Sequence, residues 1–282
     1  MLILLPPSEG KSGAKRGKPL DLAGLGFPEL TAPRERVLDA LARLCDGPPD
    51  AAAKTLGLGP TQLDLVTLNR TLRIAPTQRA DHVYTGVLYD ALDVATLSTA
   101  AKRRATARVA VTSSVFGLVR PSDRIPPYRL SGDTTLPGLG PVAGVWREHL
   151  GAVVTETVGT GLLVDLRSGT YVSFWRPAGV RSATVRVLHE HQGKRKVVSH
   201  FNKATKGRIV RALLESGAEP RTPTALAPRV ATVRVLHEVK GERQVVSHFN
   251  KATKGRIVRA VLEDGGNPRT PGKLADLLTA LG

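Results

Sequence analysis

The hydrophobic positions change between two periods along the chain, and this change predicts alternating strands and helices. Short apolar runs at residues 1–5, 107–111 and 162–165 predict buried strands, because a strand covered on both faces has few polar positions. Apolar residues three and four apart predict helices at residues 33–45 and 141–150. The alternation indicates an α/β fold, and the hairpin pattern of the C-terminal part indicates a mixed sheet.

Two further segments carry weaker patterns. Residues 83–89 and 107–111 bracket a helix near residues 90–101. Residues 171–175 alternate in a way that predicts another strand, reached after a polar turn at residues 167–169.

Residues 50–72 predict two short helices joined by Gly57-Leu58-Gly59, with Pro60 in the first turn of the second helix. Glycine–hydrophobic–glycine between short helices is typical of helix-hairpin-helix modules, whose backbone N–H groups contact a DNA phosphate. A helix ended by glycine and followed by one started by proline gives the same pattern. Gly57 and Gly59 are therefore candidate phosphate-binding residues under the first interpretation only.

The segment 111–130 predicts a rigid loop that leaves a core strand, because three prolines and a glycine exclude a regular helix or strand. Loops on a rigid scaffold often carry sites, and the candidate catalytic residues here are Arg120, Asp123, Tyr128 and Arg129. We expect Asp123 to orient an arginine through a bidentate pair and Tyr128 to place its hydroxyl at the rim. Arg120→Ala is then expected to cost function and leave stability nearly unchanged. A solvated proline-rich connection is the alternative.

Three more candidate catalytic residues follow other predicted strands. Lys11 lies in the loop after residues 1–5, which lacks the GxxxxGK[ST] spacing of a nucleotide-binding phosphate loop. Arg167 and Ser168 follow the strand at 162–165. We expect Lys11 to meet Arg120, Asp123, Tyr128 and Arg129 in one concave site, together with the N-terminus of one helix of the C-terminal repeat (residues 183–223 and 231–271). The polar turn at 167–169 is a second candidate for the site.

Composition adds a partner class. The 282 residues carry a net charge of +17, which favours a polyanionic partner such as nucleic acid or a phosphorylated ligand, although an arginine-rich genome would also raise the charge. Aromatic residues make up 4%, which argues against single-strand or RNA binding proteins that stack bases on aromatic rows. One cysteine, Cys45, allows no internal disulfide, and no apolar run reaches the ~18 residues of a membrane span, so we expect a cytoplasmic protein without a membrane partner.

Much of the charge lies in an internal repeat. Residues 183–223 recur at 231–271, and the two copies carry net charges of +6 and +4. Each copy predicts a strand, a glycine turn, a strand and a helix. We therefore divide the chain into an α/β domain at 1–226, which includes the first copy, and a second β-hairpin–helix copy at 227–282.

The repeat helix predicts an anion site. In the first copy, Ile209 and Leu213 belong to an apolar stripe, and Lys203 and Lys206 fall in the same stripe near the helix N-terminus. Lysines at that position are unfavourable for the helix dipole unless an anion lies there. Lysines that extend past the core to solvent are the alternative.

Several segments together resemble one known family. The segment FGLVRPSDRIPPYRL resembles the G-x-x-R-P-x-D-x-x-x-P-Y-R-L signature of the YaaA peroxide-stress proteins. LILLPPSEGKS, VYTG, LRSGTYVSF and SHFNKATKG are similar to other family segments, in order, up to about residue 226. The resemblance implies a cytosolic bacterial protein that keeps free iron low under peroxide stress. It also implies a mixed α/β fold, a positive groove with a helix-hairpin-helix element, and DNA binding.

The resemblance also assigns phosphate-binding residues. The family pattern K-x-x-[RK]-G-x-x-x-R matches both copies, which adds these candidates: Lys203, Lys206 and Arg211 in the first copy, and Lys251, Lys254 and Arg259 in the second. Lys11 matches a family lysine, although its PPSEGK loop is longer than the SPAK form.

Two functions remain open from the sequence. One is a stress protein that binds double-stranded DNA or another polyanion through phosphate contacts. The other is an enzyme for a nucleotide- or nucleoside-like small molecule, in a pocket lined by Lys11, Arg120, Asp123, Tyr128, Arg129 and Lys203. A pocket that encloses a nucleotide favours the enzyme, and a wide groove favours DNA.

No cofactor and no metal are predicted. His189 and His191 would share one face of a strand, but Val239 replaces His191 in the second copy. A monomer is favoured over a dimer that swaps the second copy.

Overall fold

The chain folds into a mixed α/β arrangement of short strands and longer helices. The computed structural model describes residues 1–191, 194–196, 199–231, 235–239, 242–246 and 257–264. The strands are β1 (Leu2–Leu5), β2 (Gln78–Arg79), β3 (Val109–Ser113), β4 (Gly117–Val119), β5 (Arg124–Ile125), β6 (Thr135–Leu136), β7 (Gly140–Pro141), β8 (Leu163–Asp165), β9 (Ser182–His191), β10 (Lys194–Lys196), β11 (Val235–Val239), β12 (Glu242–Val246) and β13 (Ile257–Asp264). The helices are α1 (Thr31–Asp46), α2 (Pro49–Thr55), α3 (Asp64–Arg70), α4 (Ala80–Val83), α5 (Val87–Leu92), α6 (Thr99–Arg108), α7 (Val142–Val158), α8 (Gly169–Val172), α9 (Ser199–Ser216) and α10 (Pro223–Ala231).

A seven-stranded mixed sheet forms the centre of the fold. Its order is β10-β9-β8-β1-β3-β4, and β13 pairs with β9. Strand β1 runs parallel to both β3 and β8, whereas β4 returns antiparallel to β3. All four residues of β1 and all five of β3 are buried, as their apolar runs predict for central parallel strands.

Two predicted elements are placed differently by the structure. The helix predicted near residues 90–101 is divided: α5 ends at Leu92, and α6 begins only at Thr99. Asp93 adopts a left-handed backbone (φ 46°), and the Ser98 hydroxyl accepts the Ala101 N–H at 3.2 Å to cap α6. The strand predicted at 171–175 is wrong, since α8 and a following turn occupy that segment.

The first repeat copy forms two strands followed by a helix, as predicted, in β9, β10 and α9. The predicted turn at Gly193 lies outside the described residues. Its apolar stripe is in the core: Ile209, Val210, Leu213 and Leu214 are each at most 2% exposed. Gly207 allows α9 to pass close to α5, because a Cβ at this position would lie 2.2 Å from the Leu88 carbonyl oxygen.

The second copy differs from the first. Strands β11 and β12 form the predicted hairpin, but residues 257–264, predicted as helix, form β13, which pairs antiparallel with residues 183–190 of β9. The helix prediction for these residues is wrong, because the position against α5 is already filled by α9. Lys251 and Lys254 lie outside the described residues.

A chain that ends at Ala227 is expected to fold cooperatively, because it retains α9 and its buried stripe in the core. Urea unfolding followed by circular dichroism measures this. A chain that ends at Arg181, before β9, is the matched control and is expected not to fold. Failure of the longer truncation would mean that the second copy supplies core contacts.

Candidate functional site

A cavity of about 550 Å³ lies beyond the carboxyl ends of the neighbouring strands β1 and β8. The chain leaves β1 toward β3 on one side, and it leaves β8 toward β9 on the other side. The crevice between two such diverging connections is the usual ligand site of an open α/β sheet. The loop after β1, the loop after β8 and the first turns of α9 line the cavity.

The loop after β1 is fixed in place by the segment that enters α5. Tyr89 donates its hydroxyl hydrogen to the Pro6 carbonyl at 2.7 Å, and the Thr85 N–H donates to the Ser8 hydroxyl at 3.0 Å. Lys11 forms a backbone bridge with Tyr84. These bonds hold the loop rigid, although it has no regular secondary structure.

Lys11 lies in the cavity wall against a cluster of buried tyrosines. Its Nζ donates to the Ser8 carbonyl at 2.7 Å and lies 4.4 Å from the centroid of the Tyr128 ring. The pKa of Lys11 is lowered from 10.5 to about 7, mainly by burial and also by the positive charge of Arg129, while the Glu9 carboxylate opposes the shift. A lysine with a pKa near 7 exchanges its proton at physiological pH and can act as an acid, a base or a nucleophile.

Arg129 lines the cavity beside Lys11 and is positioned from behind by α3. The Asn69 amide donates to the Arg129 carbonyl at 2.6 Å and accepts the Arg129 N–H at 2.8 Å. The Arg129 guanidinium lies 3.7 Å from the Glu9 carboxylate, and its buried Nε has no partner among the described residues. The two backbone bonds orient the arginine without using its side chain.

Two lysines of α9 complete the cationic wall of the cavity. Lys203 is exposed at the opening. Lys206 donates its Nζ to the carbonyls of Leu166 and Arg167, at 2.8 and 3.3 Å. Burial lowers the pKa of Lys206, and Asp165 opposes this shift. Lys206 thus links α9 to the loop after β8 while it lines the cavity.

The loop after β8 is built around a buried ion pair. Arg167 binds the Asp165 carboxylate through two bonds, at 2.9 and 2.7 Å, and also donates to the carbonyls of Tyr171 and Trp175. Four of the five N–H donors of the Arg167 guanidinium are thus bonded within the protein, even though the residue lines the cavity. Ser168 is the N-cap residue just before α8 and is exposed at the same wall.

The structure brings together Lys11, Arg129, Arg167, Ser168 and Lys203 at one cavity, and places Arg120 and Asp123 outside it. The Asp123 carboxylate accepts the backbone N–H groups of Arg120 and Gly26, at 2.8 and 3.1 Å, so the predicted bidentate arginine pair is wrong. Arg120 packs over the Phe27 ring at 4.3 Å and donates to the Ala107 carbonyl at 3.0 Å. Arg120→Ala is therefore expected to cost stability.

Tyr128 lies beneath the cavity wall, whereas the sequence predicted it at the rim. It is 2% exposed, and its hydroxyl accepts from Ser113 at 2.8 Å and lies 3.1 Å from the Tyr84 hydroxyl. Burial raises the pKa of Tyr128 well above its ordinary value. Its contribution to the site is the ring face that it presents to Lys11.

The N–H groups of the predicted DNA hairpin are bonded within the chain. The Gly57 and Leu58 N–H groups donate to the carbonyls of Lys54 and Ala53, which is the pattern that ends a helix at a left-handed glycine. The Gly59 N–H donates to the Gln62 side chain at 3.1 Å. Gly57 thus ends one helix before Pro60 starts the next, which is the alternative interpretation of this segment.

Arg211 also has a structural role. Its guanidinium donates to the carbonyls of Leu92 and Asp93, at 3.0 and 2.8 Å, at the C-terminus of α5. This is a favourable position for a cation, so Arg211 is not available for a phosphate as predicted. Arg259 lies in β13 rather than in a helix.

Sequence reasoning did not single out five residues that line the cavity: Ser8, Thr85, Tyr89, Tyr171 and Asn202. All but Tyr89 lie in the segments that resemble the family, and this was the available signal. Within the described ranges, no three histidine, cysteine, aspartate or glutamate side chains could hold a metal ion. In the same part of the chain, no helix is both long and apolar enough to cross a membrane.

Lys11→Met is expected to raise the free energy of unfolding, and this gain should be largest at pH values below 7. The folded chain holds the Lys11 pKa near 7 and the unfolded chain near 10.5, so unfolding takes up a proton between these values. The free-energy cost that buried Lys11 adds to folding is therefore largest below pH 7, and it falls to zero as the pH rises toward 10.5. Urea unfolding of both chains between pH 6 and 10 measures the difference. Parallel pH curves would contradict the buried environment of Lys11.

Comparison with known proteins identifies the family of this chain. The family model described as "Peroxide stress protein YaaA" matches residues 1–227. A UPF0246 protein of Streptomyces coelicolor is 51% identical over 229 residues, which cover 80% of this chain and 87% of the relative. A UPF0246 protein of Corynebacterium efficiens is 44% identical over 225 residues, which cover 79% and 88%. An uncharacterized protein of Campylobacter jejuni is 28% identical over 211 residues, which cover 73% and 82%. The chain belongs to the YaaA peroxide stress protein family.

Proposed function

We propose that the cavity binds, and is the reaction site for, a small anionic substrate of the nucleotide class. The observation that carries this proposal is the cavity itself. It has a volume of about 550 Å³ and lies where the connections that follow β1 and β8 diverge. Ligand sites for molecules of this size span roughly 300–1,000 Å³. A crevice of this volume suits a small molecule better than duplex DNA, which needs a wide groove.

The charges of the wall determine the sign of the ligand. Lys11, Arg129, Lys203 and Lys206 line the cavity, and Glu9 is the carboxylate residue that faces them. Two buried polar atoms near the cavity, Arg129 Nε and Asn202 Oδ1, have no partner within the described part of the chain. Unpaired buried polar atoms are rare in folded proteins, so a ligand group or an ordered water is expected beside them.

The rest of the wall suits a nucleoside. Tyr171, Val87 and Leu88 offer aromatic and apolar surface for a base, and Ser168 offers a hydroxyl group for a sugar. The Ser8 hydroxyl already donates to the Gly10 carbonyl and accepts from the Thr85 N–H. Burial raises the pKa of Tyr171 to about 12, so its hydroxyl stays protonated and can donate to the ligand. Lys11 is the residue best suited to proton transfer, because its pKa is near 7.

The test is calorimetric titration with adenosine 5′-monophosphate and adenosine. We expect saturable binding of the monophosphate, with adenosine at least about tenfold weaker, because a charge-assisted bond contributes about 1.5–3 kcal/mol. Arg129→Ala should weaken the binding of adenosine 5′-monophosphate by a similar factor. Arg36→Ala, on the exposed face of α1, is the matched control and should change nothing. No saturable binding of any nucleotide would overturn the proposal.

DNA binding is the second candidate, and the charge of the repeat supports it. The two copies carry +10 of the net +17, which favours phosphate contacts without base recognition. With about five such contacts, log affinity should fall with log salt at a slope of roughly −4 to −5. Filter binding of duplex DNA at several salt concentrations measures the slope, and salt-independent affinity would refute this candidate.

Family membership connects either candidate to peroxide stress. The lowering of free iron that the family implies would then be an indirect consequence of the ligand or the DNA bound. The two candidates can be distinguished by the iron content of a deletion strain that carries one of two variants. Arg129→Ala impairs the cavity, whereas the chain that ends at Ala227 lacks the charge of the second copy.

A further inference from the structure

The Lys11 amine is held in a fixed position inside the cavity. Its Nζ donates to the carbonyls of Ser8 and Glu9, at 2.7 and 3.3 Å, and lies over the Tyr128 ring. Within the part of the chain that the structure describes, no carboxylate oxygen lies within 4 Å of this Nζ. The Glu9 side chain is 90% exposed and turns to Arg129 at 3.7 Å. The amine is therefore positioned by neutral groups and carries no ion-pair partner.

Its surroundings are those that activate lysine as a nucleophile. A lysine becomes nucleophilic near neutral pH when it is desolvated or lies beside another cation, and Lys11 has both an aromatic wall and Arg129. These two causes lower the pKa of Lys11 to about 7. Lys203 is exposed. Lys206 is bonded to backbone carbonyls as Lys11 is, but the Asp165 carboxylate raises its pKa, whereas the Arg129 charge lowers the pKa of Lys11.

We propose that Lys11 forms a covalent imine with its substrate, and that the substrate is a small phosphorylated aldehyde or ketone. The proposal rests on the phosphate-binding part of the function proposed above, and it adds a carbonyl, which a simple nucleotide does not carry, as the group of the ligand that reacts. Arg129 and Lys203 would hold the phosphate, and the carbonyl carbon would lie against Lys11.

The step is balanced without a redox partner. The neutral Nζ attacks the carbonyl carbon, a C–N bond forms, and the carbonyl electron pair moves to the oxygen. The oxygen takes a proton from the nitrogen, which gives a carbinolamine. The hydroxyl then leaves as water with the second nitrogen proton, while the nitrogen lone pair forms the C=N bond. One amine and one carbonyl thus become one imine and one water.

Reductive trapping tests the proposal on the full chain. The probe is pyridoxal 5′-phosphate with cyanoborohydride, and 5-deoxypyridoxal is the matched aldehyde without the phosphate. Peptide mass mapping should find the label on Lys11. The labelling rate should be about tenfold higher with the phosphorylated probe, because losing one charge-assisted contact weakens binding by about that factor. At pH 7 the label should favour Lys11, because about half of its amine is neutral and able to attack at that pH.

Two variants make the test specific. Lys11→Arg keeps the charge and should abolish the label at this position, whereas Lys102→Arg on α6 should leave the Lys11 rate unchanged. Label spread evenly over exposed lysines, or concentrated on Lys206, overturns the proposal. If adenosine monophosphate binds and Lys11 stays unlabelled, the imine is wrong and the anion site stands. If neither ligand binds, the proposed function fails as well. Wild-type mapping decides the question even if Lys11→Arg does not fold.

Discussion

Gly207→Ala is expected to lower the free energy of unfolding by about 3 kcal/mol, at the upper end of the usual cost of overpacking a core. A Cβ at residue 207 would lie 2.2 Å from the Leu88 carbonyl oxygen and 2.9 Å from the Leu92 nitrogen. Both atoms belong to the backbone of α5 and cannot rotate away. The helix α9 must therefore move outward, which opens its buried stripe and displaces the two lysines at the cavity.

Gly144→Ala is the matched control for this substitution. Gly144 lies within α7, and an added Cβ would meet nothing within 4 Å. Alanine is the better helix former, so this variant should gain about 0.5–1 kcal/mol. Urea unfolding of both variants gives the comparison. If Gly207→Ala were as stable as the unchanged chain, the close crossing of α9 and α5 would be wrong.

The two repeat copies show why secondary structure could be predicted only in part. Residues 208–214 and 256–262 differ at one position, yet the first set lies in α9 and most of the second in β13. Local propensity cannot separate two such sequences. What separates them is the one site against α5, which the first copy fills, so tertiary contacts decide the second copy's structure.

The candidate site was predictable where residues follow central strands. Lys11 follows β1, and Arg167 and Ser168 follow β8, so the topology of a parallel sheet brings them together. Arg120 was placed wrongly because it shares a loop with Arg129, and a sequence does not show that the loop turns away between them. Asn69 was missed because its two bonds to Arg129 join residues 60 positions apart.

The glycine pattern at residues 57–59 illustrates a different limit. A DNA-binding hairpin and a left-handed helix end use the same residues, and only the partners of the N–H groups distinguish them. Here those partners are Lys54, Ala53 and the Gln62 side chain. A phosphate at this turn would have to replace bonds that already exist, which weakens the case for this element as the DNA contact.

Arg167→Ala is expected to lower the free energy of unfolding by about 3–5 kcal/mol, the usual cost of removing one partner of a buried ion pair. Asp165 is 4% exposed and would keep a charge without a partner. The carbonyls of Tyr171 and Trp175 would lose their donor, so the cavity wall formed by α8 would loosen.

Arg147→Ala is the control for this substitution, because Arg147 is exposed and donates to the Ser173 carbonyl at 3.1 Å in the same region. Its cost should stay within about 0.5 kcal/mol. The double variant Asp165→Leu with Arg167→Met should recover part of the loss, since it removes both charges together. Thermal unfolding, urea unfolding and nucleotide affinity should all be measured for each of these variants. An Arg167→Ala chain that keeps its stability and loses only nucleotide binding would assign this arginine to the ligand instead of the fold, as its position after β8 first suggested.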